Sequence, residues 1–137
     1  MVNNNNIVIG ACTGCFDVLH IGHIRLLQYA KQHCDKLIVG INSDVSIKKL
    51  KGPTRPINSE SIRKEFLLSL QCVDHVEIFN EDTPSQFINK IRPHIFVKGT
   101  DYNLETLKKD CEHSPFTRIL QFDIQQNFST TNILSKI

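Results

Sequence analysis

The sequence predicts a doubly wound α/β domain, a five-stranded parallel sheet covered by helices on both faces. Three observations carry that expectation. Short β-branched apolar runs alternate with amphipathic segments along the chain. Hairpin signals between them are few, so neighbouring strands require crossover connections and run parallel. Finally, 137 residues, 40% of them hydrophobic and 22% charged, supply one globular core but not two.

The elements follow in order. "MVNNNN", residues 1–6, reads as a short disordered leader, and the domain is expected over 7–137. "IVIGACTG" is an apolar β-branched run ending at glycine, which predicts a buried strand near 7–13. From His23 to about Cys34, Ile24, Leu27 and Ala30, with Leu26 beside them, recur at helical spacing and form one apolar face. "DKLIVGIN" predicts a second strand over 36–42. Residues 43–58 are basic and punctuated by Gly52, Pro53 and Pro56, so they read as a short helical turn and then a long exposed loop. Ser59 is a cap candidate for a helix over 60–70. "DHVEIF" is the third strand. Thr83 as N-cap and Pro84 at the first helical position open a helix in "TPSQFINKIR". "HIFVKG", 94–99, is the fourth strand and "FTRILQF", 116–122, the fifth. "STTNILSKI" closes the chain as a helix capped by Ser129. Ligands of such sheets bind beyond the carboxyl ends of the strands, where strand order reverses.

Composition narrows the function. Lys and Arg exceed Asp and Glu by only two, so no general field draws the chain onto nucleic acid and any anion site must be local. The N-terminus lacks the basic and apolar regions of a signal peptide, and no apolar run approaches the roughly 18 residues of a membrane span, which predicts a cytoplasmic protein without membrane contact. Five scattered cysteines, at 12, 15, 34, 72 and 111, suggest thiols rather than a disulfide framework.

"CTGCFDVLHIGH", residues 12–23, carries the densest chemistry. As a zinc site it offers two thiolates and two imidazoles. Against that reading, Cys12 falls within the first strand while His20 and His23 fall at the start of the next helix. A thioredoxin-like pair would put its cysteines at the helix head, but Phe16 to Leu19 intervene. Cys12 is then a small buried hydrophobe. The phosphate reading is mechanical: His20 at the turn and His23 one helical turn on aim both imidazoles at the same space. Gly22 leaves backbone room for an anion at the helix N-terminus.

Here the chain resembles the cytidylyltransferase-like nucleotidyltransferases, a Rossmann-like family. Their G-x-F-D-x-x-H-x-G-H pattern stands here as Gly14, Phe16, Asp17, His20, Gly22 and His23, and their Ser-Thr-Thr signature as Ser129, Thr130 and Thr131. "NSD", "LKGPTRPIN", Arg63, Val73-Asp74, "EDTP", "VKGTDY" and "STTNI" are most similar to the adenylyltransferases that make ADP-heptose from heptose 1-phosphate. The related glycerol 3-phosphate cytidylyltransferases, which use CTP, end in R-T-E-G-I-S-T-T; this chain has Ile124 and Asn127 at the Arg and Gly positions.

The resemblance implies attack by a sugar-phosphate oxygen on the α-phosphorus of a nucleoside triphosphate, ATP in preference to CTP, with loss of pyrophosphate. His20 and His23 would donate hydrogen bonds to the transferring phosphoryl group. Cys15, Phe16, Gly22, Gly99, Asp101 and Tyr102 would line the nucleotide. Lys49 and Lys51, on the basic loop, would neutralise acceptor and triphosphate charge, and Arg63 would reach the acceptor phosphate. Ser129, Thr130 and Thr131 would take the β and γ phosphates. Magnesium is expected with the phosphates, with Asp17 as its nearest carboxylate; the alternative for Asp17 is a turn residue bonding backbone amides. Relatives form homodimers, and the Val73-Asp74 segment matches one they pair through. The rival from another class is a nucleotide- or zinc-binding regulatory module without turnover.

Overall fold

The computed structural model describes residues 7–124. The leader and the expected last helix, with Ser129, Thr130 and Thr131, lie outside the described residues.

Ten elements follow in order: β1 (Ile9–Gly14), α1 (Ile21–Gln32), β2 (Lys36–Asn42), α2 (Asp44–Lys51), α3 (Glu60–Leu68), β3 (His75–Phe79), α4 (Ser85–Ile91), β4 (Ile95–Gly99), α5 (Leu104–Asp110) and β5 (Arg118–Phe122). The five strands form one parallel sheet in the order β3-β2-β1-β4-β5. The order reverses at β1, so its carboxyl end is the switch point. There β1 pairs with β2 over six residues but with β4 only at Gly10–Ile95 and Ala11–Phe96.

Alternation along the strands divides the core. Cys12, Leu37, Val39, Ile41 and Val97 pack with Leu26, Leu27 and Ala30 of α1 and Leu67 of α3. Ala11 and Phe96 face the other way, against Phe87 and Ile88 of α4 and Leu107 of α5. Successive strand residues point to opposite faces, so one strand serves both layers. Cys12 is fully buried, and burial pushes its thiol up to about 12, so it packs as a neutral hydrophobe.

The structure departs from the sequence-based expectations at four places. Residues 44–51 form a full helix, capped by Ser43 through a bond from the Ser46 amide, rather than a single turn. Thr83 is not an N-cap: Pro84 holds that place without a side-chain bond, and the Thr83 hydroxyl donates to Ser85 Oγ instead. Helix α5 had no expectation at all. "LETLKKD" buries only Leu107, so no apolar stripe announces it, and its one local signal is Asn103, whose side chain accepts from the amides of Glu105 and Thr106.

Arg63 is the fourth. It was expected to reach out to an acceptor phosphate, but its side chain is 0% exposed. Its Nε donates to Asn58 O (3.0 Å), one Nη1 to Cys15 O (3.0 Å) and Asn42 O (2.6 Å), and Nη2 to Asp44 Oδ1 (2.8 Å). The guanidinium therefore clamps the ends of β1 and β2 to the start of α2 and the loop before α3. Replacing it leaves several acceptors buried without a donor. Arg63→Met should lower unfolding free energy by about 3–5 kcal/mol in urea titration, and Arg63→Lys, with three donors in the wrong geometry, should recover only part of it.

Candidate active site

Everything at the carboxyl end of β1 hangs on a short turn. Gly14 leads into Cys15 and Phe16, and Phe16 adopts a left-handed backbone (φ 47°) that a bulky residue takes only when its surroundings hold it there. Its ring is buried edge-on against His23, with centroids 5.5 Å apart, and a Cβ at Gly14 would press on it.

Asp17 locks the turn from outside. Its Oδ1 accepts from the Asn58 amide and its Oδ2 from the Ile57 amide, each at 2.8 Å, while Arg55 Nε reaches Oδ2 at 3.2 Å. Burial pushes this carboxyl up, but the two amides and Arg55 outweigh it and hold it below the usual carboxylate range. The carboxylate expected for magnesium is thus committed to its second reading, tying down backbone amides. Among the described residues, no three His, Cys, Asp or Glu side chains are grouped as metal ligands.

Helix α1 opens with an unusual reciprocal cap. The Gly22 amide donates to His20 Nδ1 (3.0 Å), and the His20 amide donates to His23 Nδ1 (3.3 Å). Histidines stand where a capping box normally has Ser or Thr and Glu. A backbone N–H can only donate, so each Nδ1 is an acceptor and each neutral ring carries its proton on Nε2. Burial lowers the pKa of both rings, and His23 falls to about 4 through burial, the neighbouring His20 ring and Lys51, despite Asp101. With centroids 3.9 Å apart, the pair forms two adjacent neutral donors.

These groups border a cavity of about 570 Å³ at the switch point. Of the residues expected at a site, Cys15, Phe16, Asp17, His23, Lys51, Gly99, Asp101 and Tyr102 line it. His20 and Gly22 build the helix start beside it without lining it. Lys49 lies on α2 rather than on a loop and turns to Asp82, 3.5 Å away. Lys51 closes the same helix, ahead of the positive-φ turn at Gly52. At Gly99 the close approach is literal, since a Cβ there would collide with the Asp101 carboxylate.

Sequence reasoning passed over Lys98, Thr13, Asn42, Arg55 and Asp110, which also line the cavity. Lys98 is the most telling. It shares the inward face with Phe96, is only 6% exposed, and its ammonium donates to Thr13 O (2.8 Å) and Thr13 Oγ1 (3.4 Å) beneath the Tyr102 ring, 3.9 Å from the centroid. Its place two residues after Phe96 in "HIFVKG" was signal enough to set the face it shares.

Comparison with known proteins agrees with this architecture. The family described as cytidylyltransferase-like matches residues 11–135. Proteins named bifunctional protein HldE are 48% identical in Syntrophotalea carbinolica and 46% in Nitrobacter winogradskyi, over 90% and 93% of this chain. Each match covers 26% of the relative, so the chain spans about a quarter of the length of these proteins. Among solved structures, a lipopolysaccharide core biosynthesis protein from Thermoplasma volcanium superposes with a TM-score of 0.74 at 26% identity, covering 86% of this chain and 98% of that one.

The capping geometry has a direct spectroscopic consequence. Between pH 5.5 and 8 the His23 ring should hold one ¹⁵N signature, protonated at Nε2 and bare at Nδ1, because its titration lies near 4. A midpoint near the ordinary 6.5 would show that burial and the neighbouring His20 ring do not hold the His23 imidazole neutral.

Proposed function

The chain belongs to the cytidylyltransferase-like family, and on that premise we propose that it transfers a nucleoside monophosphate, AMP from ATP, to a sugar phosphate such as heptose 1-phosphate, releasing pyrophosphate. The observation that carries this reading is the pair of neutral Nε2–H donors at the start of α1, next to the switch-point cavity. Similarity to a lipopolysaccharide core protein supports a sugar acceptor, since that core is built of sugars.

The chemistry asks little covalent work of the protein. A phosphate monoester has a second pKa near 6, so at neutral pH it is already a dianion and needs no general base. Its oxygen forms the new bond to the α-phosphorus, the bond from that phosphorus to the bridging oxygen breaks, and the electron pair leaves with pyrophosphate. Charge grows on the non-bridging α-oxygens. Donors already aimed there stabilise it without reorganisation. Neutral imidazoles suit this role because they cannot lose the donor proton by ordinary titration. Lys51 beside His23, and the N-terminus of α1, favour the triphosphate at this side. Ser129, Thr130 and Thr131, outside the described residues, are assigned to its β and γ phosphates. With Asp17 committed to amides, a magnesium ion would be carried mainly by phosphate oxygens, and no step here is routed through it.

The same reading makes the enzyme cytoplasmic and homodimeric. Ile62, Phe66 and Leu68 of α3 are exposed apolar side chains close in sequence to Val73-Asp74. Asp74 itself is engaged within the chain, accepting from the Leu37 amide and pairing with Lys31.

Pyrophosphate release, measured with ATP or CTP against heptose 1-phosphate, other sugar 1-phosphates and glycerol 3-phosphate, tests the proposal. ATP with a sugar 1-phosphate should be the productive pair, and His23→Ala should slow it by about 10²–10³ while the fold persists. Silence with every pair would overturn the reading.

A further inference from the structure

A buried ammonium without a counter-ion calls for explanation. Among the described residues, no carboxylate lies within ion-pair distance of Lys98 Nζ, whose partners are Thr13 and the face of Tyr102. Burying a cation that way is costly unless something anionic completes its surroundings. Nζ sits where β1 and β4 have stopped pairing, at the floor of the cavity.

The carboxylates of that cavity are unevenly matched. Asp17 is paired with Arg55 and Asp82 with Lys49, whereas Asp101 and Asp110, on the side built by β4, α5 and the turn between them, form no ion pair among the described residues and act on Lys98. A triphosphate, with about four negative charges, is repelled by two carboxylates. A phosphate attached to a polyhydroxylated ring is not, since its hydroxyls donate to carboxylates and only one phosphate needs a cation. Taking the cavity as the transferase site proposed above, we propose that Lys98 is the acceptor-binding cation, its ammonium holding the phosphate of a sugar phosphate whose hydroxyls donate to Asp101 and Asp110. This is the role Arg63 was expected to fill and does not.

Protonation follows the same geometry. Burial lowers Lys98 to about 8, against the opposing influence of Cys12, Asp101, Asp110 and Cys15. Thr13 bonds it from β1, Cys12 and Cys15 act on it from β1 and the following turn, Asp101 and Tyr102 from the turn after β4, and Asp110 from α5. Its folded-state pKa is depressed, so the anion-binding form predominates at pH 7 and is lost as pH rises through about 8.

Calorimetric titration with inorganic phosphate and with a sugar 1-phosphate, the donor side filled by unreactive α,β-methylene-ATP, reads the site directly. Lys98→Met should weaken both ligands by about ten- to a hundredfold and leave affinity for the ATP analogue within twofold. In turnover, the acceptor KM should rise by a similar factor with a smaller change in kcat. Wild-type phosphate affinity should drop about tenfold from pH 7 to 9, a drop absent in Lys98→Met. Asp110→Asn, which leaves the ammonium in place, should weaken the sugar 1-phosphate and spare inorganic phosphate, and it keeps the test open if Lys98→Met does not fold. Unchanged phosphate affinity in folded Lys98→Met, or equal loss of both ligands in Asp110→Asn, overturns the assignment. Phosphate binding that depends on Lys98 in a chain that transfers no nucleotide would instead remove the transferase reading and leave the anion site.

Discussion

The site depends on one fully buried cation whose donor nitrogens are all taken up within the chain. Arg63 takes the carbonyls of Cys15 and Asn42, which end neighbouring strands, and that of Asn58 in the loop before α3. Asn58 then passes the constraint on: its amide binds the Asp17 carboxylate and its side chain binds the Asp17 carbonyl at 2.6 Å. The Cys15–Leu19 turn is thus held at its start and its middle, and His20 follows it to open α1. Desolvating a guanidinium costs several kcal/mol, offset only by near-complete hydrogen bonding. The five donors of its planar fork are why arginine fills this place and lysine does not.

With the turn fixed, the helix start sets its own proton chemistry. The cap that supplies acceptors to orphan amides also decides which ring nitrogen of each histidine stays protonated. Helix capping and the tautomer of each ring rest on the same two hydrogen bonds here. Burial reinforces them by disfavouring the imidazolium, and Lys51 adds repulsion at His23.

Most of the fold was legible because hydrophobic periodicity is a local property. Five strands and the α1 and α3 helices follow from spacing, with ends shifted by one or two residues, and Ser59 caps α3 as its type suggests. Helix α5 was illegible because a helix with one buried side chain carries no stripe. Arg63 and Lys98 share a different cause. Each occupies an inward position of a periodic element, Arg63 four residues before the buried Leu67 and Lys98 two after Phe96. Position told where they point, but residue type suggested solvent. Among their partners are backbone carbonyls distant in sequence, those of Cys15 and Asn42 for Arg63 and of Thr13 for Lys98, which leave no trace in side-chain composition. Asp17 was readable as a residue that bonds amides, though those amides come from forty residues away rather than from its own turn.

Strand β1 lies between β2 and β4 and carries material for both sides of the cavity, Thr13 toward Lys98 and the Cys15–Leu19 turn toward the histidines. Under the proposed transfer, two reactants meeting there would be oriented by one strand that contributes to both of their subsites. Translational and rotational freedom that separate domains would surrender at each catalytic cycle is given up once, when the chain folds.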